Sequence, residues 1–141
     1  MNEKEIKDKE ELSQFLKIIE TERCIWRGIA RRRLFIVDRV KDKSRGKTIS
    51  LKNIAESIDV RVLVESPKKA KILNDSFQTD VFIGQSPELG LLGHIEVLLD
   101  DNLDYVELSK LDNLDILGGV YSVDTVRYIS FKEIVSLEKI E

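Results

Sequence analysis

The chain has little of what covalently stapled or metal-dependent proteins rely on. Its 141 residues include one cysteine, one histidine, one tryptophan and two prolines. A lone Cys24 excludes an internal disulfide and any cysteine-based zinc cluster, and it points to a reducing compartment. A lone His94 needs an orienting carboxylate before it can act as a base, and Glu96 on the same strand face is its nearest candidate; packing is the simpler role. No apolar run approaches the roughly 18 residues of a membrane span, and the Lys/Glu-rich start is unlike a signal peptide. The expectation is therefore a cytoplasmic chain without a membrane partner. A Gly-rich phosphate loop, a serine-nucleophile elbow and metal-ligand spacing are all missing. No catalytic residue, metal or cofactor is expected.

What is abundant is charge, at 35% of residues, with 42% hydrophobic. That balance suits one folded domain over 1–141, long enough to bury a core. The net charge of −3 hides a strong polarity. Residues 1–22 hold four basic and seven acidic groups, and residues 23–47 hold ten basic and two acidic. Residues 48–83 balance, whereas residues 84–141 hold four basic and twelve acidic. A basic pole and an acidic pole follow, and both bear on the choice of partners.

Hydrophobic spacing predicts an amphipathic helix within residues 1–22, with Leu12, Phe15, Leu16 and Ile19 on one face. Such a stripe serves a partner or pairs two copies, or it packs on its own domain, the commoner use. Residues 23–83 read as a basic hairpin and a strand–helix–strand unit. Leu34–Val37 and Thr48–Leu51 are the hairpin strands around a Gly46-containing loop. Val60–Val64 is a strand, Ser66-Pro67 caps a short helix over 68–74, and Val81–Ile83 is a strand. Residues 84–141 read as an acidic, barrel-like part. A turn over 86–92 leads to a strand ending at Leu99, and Asp100-Asp101-Asn102 turns into a returning strand over 105–108. A helix over 87–99 is the alternative there, disfavoured by Gly90 and Gly93. A long strand over 120–131 and a short one over 134–137 close the chain. The predicted class is α+β: an N-terminal helix, then a mainly antiparallel sheet or small barrel with one short internal helix.

Two segments resemble known families. Gly93–Asn102 and the strand–turn–strand ending at 128–137 resemble a small Sm-like or SH3-like barrel over residues 93–141. Asp104 and Gly118-Gly119 stand where that family holds RNA bases, so the resemblance implies the architecture without the RNA pocket. Val62–Lys71, reading VLVESPKKAK, resembles the start of the TOPRIM domain of type IA topoisomerases, and Gly93-His94-Ile95 follows at a plausible distance. That resemblance implies that Glu65 is a catalytic acid near a metal, working with a later Asp-x-Asp pair. The run Asp100-Asp101-Asn102-Leu103-Asp104 departs from that spacing, and a single glutamate cannot hold a catalytic metal.

The strongest functional signal is the basic segment. Arg27, Arg31, Arg32, Arg33, Arg39, Lys41, Lys43, Arg45 and Lys47 lie along the expected hairpin and its approach, with Trp26 and Phe35 interleaved. A cationic ribbon of this kind suits a phosphate backbone. The leading expectation is a non-catalytic nucleic-acid-binding accessory protein. The alternatives are a protein-interaction module (inhibitor, immunity-type factor or self-assembling subunit joined through opposite charge poles) and a divergent TOPRIM-like enzyme.

Overall fold

A computed structural model describes residues 2–38, 42, 45–122 and the backbone of 134–136. Its centre is a six-stranded sheet ordered β3-β2-β4-β5-β1-β6. The strands are β1 (Arg33–Val37), β2 (Arg61–Val64), β3 (Phe82–Gly84), β4 (Ile95–Leu99), β5 (Leu114–Ser122) and β6 (Ile134–Ser136). The first five run parallel, and β6 joins β1 antiparallel at the edge. The predicted antiparallel sheet or barrel is therefore overturned. The reason lies in burial. Leu34-Phe35-Ile36-Val37, Val62-Leu63-Val64 and Val97-Leu98-Leu99 are buried at every position, and uninterrupted apolar runs belong to strands covered on both faces.

Two apolar layers cover the sheet. Phe35, Val37, Val62, Val64, Leu98 and Val120 point to one face, against α1 (Glu3–Ala30), α2 (Lys47–Ile58) and α3 (Pro67–Phe77). Leu34, Leu63, Val97, Leu99 and Ile116 point to the other, under a 3₁₀ turn at Pro87–Leu91 and α4 (Tyr105–Leu108). The alternation is the two-residue period of a strand, with both sides apolar.

Several local expectations change. The N-terminal helix does not stop near residue 22 but runs to Ala30, started by Asn2 accepting from the Glu5 amide at 2.9 Å. The basic hairpin does not form, because residues 48–51 are helical. Ser50, Leu51, Ile54 and Ala55 are buried together at helical spacing, so packing overrides the β-propensity of Thr48 and Ile49. The return strand over 105–108 is the short helix α4, whose cap is Asp104 accepting from the Glu107 amide at 3.3 Å. Ser66 caps α3 as expected, accepting from the Lys69 amide at 3.1 Å. The predicted strand over 120–131 meets β5 (Leu114–Ser122) only at residues 120–122, since β5 starts six residues earlier; residues 123–131 lie outside the described residues.

Edge strand β3 is protected by a side chain. Asn74 of α3 accepts from the Phe82 amide and donates to the Phe82 carbonyl, both at 3.0 Å, and so imitates a neighbouring strand. Close approach at the strand ends depends on glycine. A Cβ on Gly84 would lie 2.1 Å from the Pro67 nitrogen, and one on Gly119 (φ +129°) would lie 2.4 Å from the Leu99 backbone. We expect Gly84→Ala to displace the start of α3 and to destabilise the fold by about 1–3 kcal/mol, the usual scale of overpacking. A urea midpoint equal to that of the parent chain would contradict this packing.

Candidate functional site

The connections place the crevice. From β2 the chain passes through α3 on one face to β3, whereas from β4 it passes through α4 on the opposite face to β5. Neighbouring strands β2 and β4 therefore send their chains in opposite directions. The carboxyl ends of such a pair flank the crevice where open α/β sheets bind ligands. Residues just past these ends are Glu65 and Asp100. The Asp100 amide donates to the Leu63 carbonyl at 3.0 Å, so the β2–β4 ladder holds Asp100 in place.

Lysines fill this edge. Lys69 Nζ lies 3.4 Å from Glu65 Oε1 and 3.7 Å from Asp100 Oδ2, while Lys47 Nζ lies 3.3 Å from Asp101 Oδ2. Glu65 is exposed, but Asp100 is buried. Burial pushes the Asp100 carboxyl above its ordinary value of 3.8, and the charge of Asp101 adds to this. A hydrogen bond from the Asp101 backbone and the two lysines oppose it. Among the described residues no three His, Cys, Asp or Glu groups converge to hold a metal ion. Lys69 occupies the space between the carboxylates, so the divalent cation implied by the TOPRIM resemblance does not fit this donor set.

The six described cations of the basic segment (Arg27, Arg31, Arg32, Arg33, Arg45 and Lys47) do not form one ribbon. Arg27 is on the last turns of α1, and Arg31, Arg32 and Arg33 form the corner into β1 at the amino edge of the sheet. All four are exposed, and none forms an ion pair among the described residues. Arg32 ends α1 in the left-handed conformation, φ 52°. Arg45 and Lys47 lie at the opposite edge, separated by the length of β1, about 15 Å. Both are engaged: Arg45 contacts Asp42 at 3.8 Å and Glu20 at 4.0 Å, and Lys47 holds Asp101. Arg39, Lys41 and Lys43 lie outside the described residues. His94 and Glu96 are both exposed, and Cys24 is buried.

Sequence reasoning missed Asp100 and Asp101 as site residues because Asp-Asp-Asn was read as a hairpin turn. The available signal was Val97-Leu98-Leu99 running straight into acidic residues, the pattern of a buried parallel strand reaching its carboxyl edge. No helix among the described residues is long and apolar enough to cross a membrane. Comparison of the chain with protein families, curated proteins and solved structures returns no match.

Asp100 gives a pH test. With its folded value raised, its contribution to stability is present in full below 3.8 and is lost as pH rises through the raised value. Asp100→Asn is therefore expected to stabilise the chain at neutral pH, with the gain shrinking under acid conditions. Urea unfolding at both extremes measures the difference. A variant less stable than the parent at neutral pH would show that the Lys69 contact outweighs burial.

Proposed function

We propose that this chain is a non-catalytic nucleic-acid-binding accessory protein that engages phosphates with Arg27, Arg31, Arg32 and Arg33. One observation carries the reading. At the carboxyl edge Arg45, Lys47 and Lys69 are paired with Asp42, Asp101, Glu65 and Asp100, whereas the arginines at the amino edge are exposed and unpaired among the described residues. Guanidinium groups offer paired donors that match phosphate oxygens. The last turns of α1 and the start of β1 hold these side chains on regular structure, so less ordering is needed on binding.

A second reading rests on Glu65 and Asp100 sharing Lys69 at the crevice. With the VLVESPKKAK resemblance, that geometry is compatible with a divergent TOPRIM-like domain. Because the donor set does not accommodate a metal, no metal-dependent step is assigned to it.

Titration of labelled DNA and RNA at several salt concentrations tests the first reading. Four phosphate contacts predict a slope of log affinity against log salt near −3.6 on duplex DNA, with each arginine replaced by alanine removing about 0.9. Arg31→Ala, Arg32→Ala and Arg33→Ala together should abolish most of the salt-dependent affinity, whereas Arg45→Ala should leave it intact. Absence of binding at low salt, or full binding by the triple variant, would sink this reading. Magnesium-dependent nicking of supercoiled DNA that disappears in Glu65→Gln would overturn the exclusion of a metal from this donor set and favour the second.

A further inference from the structure

Helix α1 is 28 residues long, about 42 Å, and the body of the protein covers only part of it. Every residue from Glu3 to Leu16 is exposed. Further along, Thr21, Cys24, Ile25 and Gly28 are buried against the domain. At about 100° per residue, Leu12, Phe15, Leu16, Ile19 and Trp26 fall on the side opposite that buried face. Leu12 and Phe15 are each 58% exposed, Leu16 55% and Trp26 40%. The helix therefore has two apolar faces, one used and one open to water. A helix apolar on both sides is normally covered on both. The sequence-level preference for packing this stripe on its own domain does not match its exposure.

Charge along the helix selects the occupant. Residues 3–16 carry five acidic groups (Glu3, Glu5, Asp8, Glu10 and Glu11) against three lysines. Residues 23–33 carry five arginines and no acid. A parallel copy would set acid on acid and arginine on arginine. An antiparallel copy sets each acidic half against an arginine half, and like charges are then kept apart.

We propose that α1 pairs with α1 of a second copy as an antiparallel two-helix interface centred between Phe15 and Leu16. Leu12 then faces the other copy's Ile19, and Asp8 faces its Arg23. Trp26 meets the first turns of the opposing helix. The overlap ends before Arg31, so Arg31, Arg32 and Arg33 stay outside it. The dimer carries two arginine corners at its far ends, about 50 Å apart along the helix pair. The inference stands on the apolar stripe and the charge order of α1, independently of whether those corners bind nucleic acid.

Light scattering and sedimentation equilibrium on the full chain test the pairing. A concentration-dependent dimer is expected. Phe15→Glu with Leu16→Glu should weaken it about 100-fold or more, since two apolar side chains are lost from the centre. Both positions are exposed in one copy, so that variant should still show cooperative unfolding by circular dichroism, with helicity lost at most from the extension. Arg23→Glu should weaken the dimer, and adding Asp8→Arg should restore it. Direction is read by oxidative crosslinking. Phe15→Cys should link to itself, whereas Asp8→Cys should link only when mixed with Arg23→Cys. Buried Cys24 does not compete. A chain monomeric at all concentrations, or Asp8→Cys linking to itself as readily as Phe15→Cys, overturns the proposal.

Discussion

Burial of the central strands on both faces is the constraint from which the rest of this structure follows. Leu34, Leu63, Val97 and Leu99 face one layer while Phe35, Val62, Val64 and Leu98 face the other. Such strands cannot be left half in water, so helices must lie above and below them. Polar chemistry is then confined to the strand ends. At Gly84 the start of α3, and at Gly119 the neighbouring strand β4, come too close for any side chain.

Confinement to the ends sorts the charges. At the carboxyl edge Lys47 and Lys69 meet carboxylates from different elements, with Lys69 shared by Glu65 and Asp100. At the amino edge, four arginines meet no carboxylate among the described residues. The net charge of −3 therefore says little about what a polyanion meets. Exposed charges act over about 8 Å at physiological salt, so the local corner governs encounter more than the distant acidic surface does.

Helix α1 links these features. Its C-terminal half is part of the domain and carries the arginines, while its N-terminal half extends beyond the body with an open apolar stripe. An isolated helical extension of about four turns is marginal in water. The proposed second copy covers the stripe and leaves Arg31, Arg32 and Arg33 accessible, so the proposed assembly and most of the proposed phosphate contact use different parts of α1.

Much of the local structure was legible because it depends on nearby residues. Asn74 aside, the strand–helix–strand unit around Ser66-Pro67 could be read directly: a cap, a proline at the first helical position and apolar runs on either side. The turn over 86–92 and the strand ending at Leu99 were readable for the same reason. Thr48–Leu51 was misread, since its β-propensity yields only when Ser50 and Leu51 find α1 to pack against. Residues 105–108 were misread because Asp104 as a helix cap and Asp-Asp-Asn as a hairpin turn look alike in one dimension. The parallel order of the strands depends on which distant runs pair, and no local spacing encodes that. The same pairing separates Arg31–Arg33 from Arg45 and Lys47, although they are close in sequence, and brings Glu65 to Asp100. Residue chemistry was thus set by the chain alone, while the pairing of Lys47 and Lys69 with carboxylates at one edge and the exposed arginine corner at the other came from long-range strand order.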